Sequence, residues 1–213
     1  MALVEELVLA SSSKFRQNIL SALGLEFRAQ DASINEYEIV HVDPFELSVL
    51  RAKAKARAVA TKCSNALVIG CDQTLEFGGH SFDKAVTAEE AAERLRLFAG
   101  SEHKLHSAVV FAMSAEGIDG VKVVDAFVST SLMRMRSLTG REIDRYIASG
   151  EWEGSVGCYQ AENLGANLFA SYGEDLHSIM GVPSLMILSR LRNLGINPLL
   201  KPNPPWDLNI DSD

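Results

Sequence analysis

Residues 7–23, LVLASSSKFRQNILSAL, place a strand, a cluster of serines and a helix directly after one another. The short apolar run of residues 7–10, bounded by small polar residues, predicts a buried strand, and Ser12 or Ser13 is a suitable N-cap for the helix. The apolar residues of that helix share one side: Phe15, Ile19, Leu20 and Leu23. The free N–H groups at such a junction favour an anion, and the guanidinium of Arg16 can bind phosphate with two hydrogen bonds. The stretch therefore predicts either an ordinary capped connection or a phosphate site.

The composition narrows the classes of partner. The 213 residues, 47% hydrophobic and 23% charged, suffice for one large domain or two small lobes that share a core. A formal net charge of -8 argues against nucleic-acid polymers and anionic membranes, which select basic surfaces, but allows a small anionic ligand. Because no apolar run approaches the length of a membrane span and the N-terminus has no basic region, we expect a cytoplasmic protein. The cysteines are too far apart for a zinc site or a disulfide framework: Cys63, Cys71 and Cys158.

Residues 66–71, ALVIGC, form a continuous apolar run that predicts a buried strand. Asp72, Gln73 and Thr74 follow it, and open α/β sheets place their ligand sites at the carboxyl ends of strands. Asp72 is therefore either a carboxylate of a ligand site or a turn-forming residue.

Helix starts are marked by their capping residues. Asp43, with Pro44 at the first helical position, predicts a helix that extends to about residue 62. On it, Arg51 and Lys55 lie one turn apart and share a face, which is either solvated or lets a lysine reach a phosphate. Capping boxes predict the starts of the next two helices, at Thr87 with Glu90 and at Thr139 with Glu142, and a last helix is predicted over residues 183–194.

The remaining segments predict strands and turns. Residues 105–113 and 121–135 read as an antiparallel pair joined by residues 114–120, and Gly78-Gly79 predicts a hairpin turn. The proline-rich tail, residues 201–213, is expected to be frayed or laid across the surface.

These pieces, in this order, resemble the Maf family of nucleoside triphosphate pyrophosphatases over about residues 7–199. The family's opening motif, Ala-Ser-x-Ser-Pro-x-Arg-x-x-Leu-Leu, corresponds to residues 10–20, with Lys14 in place of the proline. The other matching motifs are Asn35-Glu36, Lys55-Ala56, Gly70-Cys71-Asp72, Asp83-Lys84-Ala85 (Gly-Lys-Pro in the family), Gly100 with His103, residues 138–151, and Gly181-Val182-Pro183. Asn35 replaces an acid of the family, which weakens metal binding if that acid is a ligand.

The resemblance implies an α/β fold similar to that of inosine triphosphate pyrophosphatases, with an elongated mixed sheet flanked by helices and two lobes around a central cleft. It implies one Maf-like domain over residues 1–200, followed by the tail. The implied reaction is hydrolysis of a nucleoside triphosphate to the monophosphate and pyrophosphate with a divalent cation, Mg²⁺ or Mn²⁺. The family also allows a homodimer.

The resemblance implies roles for individual residues. Asp72, Lys55 and Lys84 would be catalytic, Glu36 and Asp72 would hold the metal, and Asp72 either accepts the proton or only holds the ion. The positive charges would neutralise the triphosphate. Substrate-binding roles fall to Ser11, Ser13, Arg16, Phe15, Gln73 and Glu162.

Three positions bear on the base. Family members that cleave dTTP and UTP have Arg, Thr and Gln there, whereas members similar to 7-methyl-GTP pyrophosphatase have Trp, Gln and Glu. This chain has Phe15, Gln73 and Glu162, closest to the second set. A methylated, cationic purine is attracted to an aromatic face, and a carboxylate can accept from the N–H groups of guanine. Alternatively, Phe15 packs in the core and Glu162 is a solvated loop residue.

The sequence thus predicts a house-cleaning pyrophosphatase that acts on 7-methyl-GTP or a related modified nucleotide. Two alternatives stay open: a dTTP/UTP pyrophosphatase of the same family, and a non-catalytic nucleotide-binding regulator of septum formation.

Overall fold

The computed structural model describes residues 2–114, 120–173, 175–201 and 203–208. Its strands are β1 Ala2–Val4, β2 Glu6–Ala10, β3 Arg28–Ala29, β4 Ala66–Phe77, β5 His80–Phe82, β6 Glu102–Ser114, β7 Lys122–Met135, β8 Phe169–Tyr172 and β9 Trp206–Leu208. Its α-helices are α1 Lys14–Ala22, α2 Pro44–Ala60, α3 Ala88–Phe98, α4 Gly140–Ile147, α5 Leu176–Ile179 and α6 Ser184–Asn193, with 3-10 helices at Glu36–Glu38 and Leu164–Leu168. Most of the predicted connection between β6 and β7, residues 115–119, lies outside the described residues. Among the described residues, none of the helices combines the length and the apolar character that a membrane-spanning segment requires.

Seven of these strands form one mixed sheet, which confirms the predicted fold class. The order is β3-β2-β4-β6-β7-β8, and β5 pairs with β4. β2 is parallel to β3 and β4, and the remaining neighbours are antiparallel. Helices flank this sheet, while the two-lobe description and the domain boundary at residue 200 stay predictions.

Strand β4 is longer than the sequence predicts and positions the site. Its apolar run ends at Cys71, yet the strand continues to Phe77 because β6 pairs with it as far as Glu76. On the other side β2 pairs only as far as Gly70, so Asp72 lies just beyond the end of its parallel neighbour. Asp72 therefore lies inside a strand rather than at its end. It faces the space beside the serines that follow β2.

Helices cover both faces of this part of the sheet. The apolar side of α1 and α6 packs on one face, through buried residues such as Leu20, Ile187 and Leu191. Helix α2 packs on the other face through its small residues: Ala52, Ala56, Val59 and Ala60. A Cβ on Gly70 would lie 2.3 Å from the carbonyl oxygen of Ala52, so this glycine is what lets α2 approach β4 closely. A further core cluster, which includes Phe98, packs α3 and α4 around the opposite end of the sheet.

The described part of the tail differs from the surface segment that the sequence predicts. Residues 206–208 form β9, antiparallel to β1, and both Trp206 and Leu208 are buried in the core that contains α1 and α6. Alternation explains the difference: Trp206 and Leu208 point inward, whereas Asp207 between them is exposed.

The predicted capping boxes have different outcomes. Thr139 and Glu142 form the complete reciprocal box at the start of α4. At α3, Thr87 accepts from the Glu90 N–H as predicted, but the Glu90 carboxylate accepts from Val86 instead of Thr87. That box is therefore only half formed.

Candidate active site

One cleft of about 630 Å³ collects every residue that the sequence assigns to the site. These residues are Ser11, Ser13, Phe15, Arg16, Glu36, Lys55, Asp72, Gln73, Lys84 and Glu162. They come from the β2–α1 junction, the 3-10 helix after β3, α2, β4, and the loops that follow β5 and α4. The structure thus brings together side chains that are up to 151 positions apart in the chain, although their individual roles stay predictions.

The serine junction forms one wall of the cleft. Ser13 is the N-cap of α1, and its hydroxyl accepts from the Arg16 N–H. The guanidinium of Arg16 donates to the Cys71 carbonyl at 3.0 Å and to the Ser11 hydroxyl at 3.4 Å, which holds it beside Asp72. Phe15 is 47% exposed. It lines the cleft and does not join the core side of α1, so the core alternative for Phe15 is wrong.

Lys55 lies between two carboxylates. Its Nζ is 2.6 Å from Asp72 Oδ1 and 2.8 Å from Glu36 Oε2. The Lys55 and Asp72 side chains are buried, whereas that of Glu36 is 44% exposed. Asp72 Oδ2 is out of reach of solvent and has no hydrogen-bond partner among the described residues. One oxygen of Asp72 is therefore paired with a cation while the other remains available.

The environment shifts the pKa values of the two carboxyls in opposite directions. Burial raises the pKa of Asp72 above its ordinary value, against the opposing charges of Lys55 and Arg16. Burial also acts to raise the pKa of Glu36, but the hydrogen bond from Lys55 and the neighbouring positive charges lower it overall. Asp72 is thus the more basic carboxylate of the pair.

Lys84 follows β5 on a loop at the other wall. Burial of its ammonium lowers the pKa of Lys84, and the positive charge of Arg16 lowers it further. Arg94 of α3 holds the loop: it donates to the carbonyls of Asp83 and Val156, and its ion pair with Glu90 measures 2.8 Å. One buried guanidinium thereby fixes the Lys84 loop relative to the loop after α4.

Gln73 has its amide nitrogen fully engaged. Its Nε2 lies 2.9 Å from the Ser107 hydroxyl, 3.2 Å from the Ser178 carbonyl and 2.9 Å from the Ile179 carbonyl. These bonds tie β4 to β6 and to α5. Since the donors of Gln73 are used internally, only its carbonyl oxygen is left for a ligand in the cleft.

Several residues of the matched motifs support the loop that carries Glu162. The Tyr146 hydroxyl accepts from the Gln160 N–H at 3.0 Å, and the carboxylate of Glu151 accepts from the N–H groups of residues 164 and 165. Nε2 of the buried His103 lies 2.6 Å from the Tyr159 hydroxyl. Burial lowers the pKa of His103 to about 4. His103 is therefore a neutral residue that packs inside the fold beside Tyr159.

Arg51 is a cleft residue that the sequence-based site set omits. It lines the cleft one turn before Lys55 and forms an ion pair with Asp83 at 3.2 Å. Its four-residue spacing from Lys55 was the available signal, since residues at that spacing share a helix face.

The described residues contain no cluster of three or more His, Cys, Asp or Glu side chains that could hold a metal ion. Glu36 and Asp72 are the two carboxylates that Lys55 brings together. Mg²⁺ is commonly bound through one or two carboxylates, with water and substrate phosphates as the other ligands.

A sequence model of the family described as Maf-like protein matches residues 6–194. The chain is 39% identical over 200 residues to a 7-methyl-GTP pyrophosphatase of Bartonella quintana (strain Toulouse), covering 91% of this chain and 98% of the relative. It is 42% identical over 197 residues to a 7-methyl-GTP pyrophosphatase of Rhizobium meliloti (strain 1021), covering 89% and 96%. A nucleoside triphosphate pyrophosphatase of Nitrobacter hamburgensis (strain DSM 10229 / NCIMB 13809 / X14) is 40% identical over 196 residues, covering 89% and 94%.

Proposed function

The chain belongs to the Maf-like protein family, and we propose that it hydrolyses nucleoside triphosphates to the monophosphate and pyrophosphate, with 7-methyl-GTP or a related modified nucleotide as substrate. The observation that carries the reaction is the buried Asp72–Lys55 pair, which lies in the same cleft as Arg16 and Lys84. A carboxylate among converging cations is what attack by water on a phosphate chain requires.

The cations bind and orient the triphosphate. Arg16 is held by the Cys71 carbonyl, so its remaining N–H groups can fork onto phosphate oxygens. Lys55 and Lys84 supply further point charges in the same cleft. Ser11 and Ser13 contribute hydroxyls at the start of α1, where the helix dipole favours negative charge.

Asp72 is the proposed proton acceptor. Lys55 engages its Oδ1, which leaves Oδ2 to take a proton from the attacking water. Burial raises the pKa of Asp72 and so makes it a stronger base than a solvated carboxylate, while the positive charge of Lys55 acts in the opposite direction and favours the ionised form.

A divalent cation, Mg²⁺ or Mn²⁺, fits the same carboxylates. Glu36 and Asp72 offer hard oxygen ligands, and substrate phosphates and water would complete the shell; if Asp72 Oδ2 holds the ion, it does not also accept the proton, so these two roles of Asp72 are alternatives. The ion would neutralise the phosphate charge that develops during hydrolysis. This chain's contribution is to keep the two carboxylates together through Lys55.

The base assignment rests on what the cleft presents. Phe15 offers an exposed aromatic face, which attracts a cationic 7-methylpurine by about 0.5–2 kcal/mol. Gln73 presents only an acceptor, and Glu162 adds a carboxylate. Two acceptors suit the donor edge of guanine, with its N1–H and N2–H₂ groups, and do not suit a pyrimidine.

The test is release of pyrophosphate from a panel of triphosphates with Mg²⁺: 7-methyl-GTP, GTP, dTTP, UTP and other modified nucleotides. We expect 7-methyl-GTP to give the highest kcat/KM. Turnover of dTTP and UTP alone would reject the base assignment but keep the reaction class.

Asp72→Asn separates an enzyme from a nucleotide-binding regulator. For an enzyme, we expect this variant to lose activity by about 10²–10⁴-fold while it still binds nucleotide. If the parent protein turns over no triphosphate on the panel and the variant binds as the parent does, the regulator of septum formation becomes the better interpretation. The cytoplasmic location and the homodimer stay predictions.

A further inference from the structure

Arg51 occupies a place in the cleft for which the proposed reaction gives no role. The side chain of Arg51 is long and cationic, yet only 12% of it is exposed. Its Nε is out of reach of solvent and has no hydrogen-bond partner among the described residues. A buried guanidinium N–H without an acceptor is unfavourable, so this side chain retains unused donor capacity inside the cleft.

The partner of Arg51 is weakly held. Asp83 contacts Arg51 through one Nη1–Oδ1 contact of 3.2 Å, and the Asp83 side chain is 56% exposed. An ion pair with a single contact and one solvent-exposed partner contributes little stability. The Asp83 backbone is fixed independently, because Arg94 holds its carbonyl. The Asp83 carboxylate can therefore leave Arg51 without unfolding the loop that carries Lys84.

The pair lies beside a cation of the proposed phosphate site. Asp83 directly precedes Lys84 in the chain. Arg51 lies one helical turn from Lys55, on the same face of α2. The charge of Lys55 is largely offset by Glu36 and Asp72, so a further cation on the same face of α2 would add to the charge available for the triphosphate.

We propose that Arg51 is a further substrate-binding residue that exchanges Asp83 for the terminal phosphates of the nucleotide and for the pyrophosphate product. This rests on the proposed function for its substrate. Asp83 acts as the internal anion that occupies Arg51 when no phosphate is bound. The guanidinium then forms the two-pronged hydrogen bonds with phosphate that a single carboxylate oxygen does not satisfy.

The experiment measures binding of inorganic pyrophosphate by calorimetry, together with kcat and KM for 7-methyl-GTP. In Arg51→Gln we expect pyrophosphate binding to weaken by about 10-fold or more and KM to rise in parallel, since a charge-assisted contact is lost. Arg51→Lys should recover only part of the affinity, because an ammonium cannot fork. The control is Arg57→Gln, an exposed arginine on the same helix, which should bind like the parent.

The variant Asp83→Asn should change pyrophosphate affinity in the opposite direction. Removing the competing carboxylate should tighten pyrophosphate binding several-fold, and the gain should vanish in Arg51→Gln/Asp83→Asn. Unchanged pyrophosphate affinity in Arg51→Gln, or unchanged or weaker affinity in Asp83→Asn, would overturn the proposal. Because calorimetry needs no turnover, a parent protein that binds pyrophosphate but hydrolyses nothing would reject the proposed function and leave the role of Arg51 to be decided by the variants.

Discussion

Replacing Lys55 with methionine tests the central charge arrangement of the cleft through stability alone. The variant keeps the length of the side chain but removes the ammonium that lies 2.6 Å from Asp72 Oδ1. Both side chains of this pair are less than 10% exposed, whereas Glu36, the second partner, is 44% exposed and can be solvated by water. Asp72 is therefore the group left with an uncompensated buried charge.

The expected loss is large and depends on pH. Removing one partner of a buried ion pair typically costs about 3–5 kcal/mol in the free energy of unfolding. Burial already raises the pKa of Asp72 in the parent, so the native state binds this proton more tightly than the unfolded chain does. The contribution of Asp72 therefore becomes less favourable as pH rises from its unfolded pKa, about 3.9, through the folded value. Without Lys55 that window extends to higher pH.

Urea unfolding of the parent, Lys55→Met and Lys55→Met/Asp72→Asn at several pH values provides the measurement. We expect the deficit of Lys55→Met to be smallest at the acidic end of the range, where protonation of Asp72 removes the uncompensated charge, and to grow as pH rises. The double variant buries no charge and should recover at least half of the loss. A deficit that does not change with pH, or a double variant no more stable than the single one, would refute this reasoning.

Three further predictions concern packing, pH and specificity. Gly70→Ala should destabilise the fold by at least about 1–3 kcal/mol in urea unfolding, because its Cβ would lie 2.3 Å from the Ala52 carbonyl oxygen. Gly140→Ala is the matched control, since its Cβ meets nothing within 4 Å and should change stability by less than about 0.5 kcal/mol. Burial lowers the pKa of His103 to about 4. The contribution of neutral His103 to stability is therefore present above about pH 6.5 and is lost as pH falls toward 4. In His103→Gln, this part of the pH dependence of the free energy of unfolding should disappear. Glu162→Gln should lower kcat/KM for 7-methyl-GTP by about 10-fold while changing that for dTTP little, and an equal loss on both would contradict a role in base recognition.

Local patterns in the sequence determined most of the elements. Period, capping and turn residues act over a few positions, so the strand before the serines, the Ser13 cap and the Thr139–Glu142 box could all be read from neighbouring residues. The residues of the site were identified by the order of the family-like motifs, not by local physical patterns. That these residues lie in one cleft was likewise an expectation of the resemblance.

The tertiary structure decided what depends on distant partners. The sequence ends the apolar run at Cys71, but pairing with β6 carries the strand through Asp72 and buries this carboxylate beside Lys55. The burial of Trp206 required β1 at the other end of the chain. The pairing of Arg51 with Asp83 joins positions 32 residues apart, and no local pattern encodes such a contact. Periodicity indicates which side of an element is apolar. The burial, the charge pairing and the shifted pKa of Asp72 depend instead on the residues that the rest of the fold packs against Asp72.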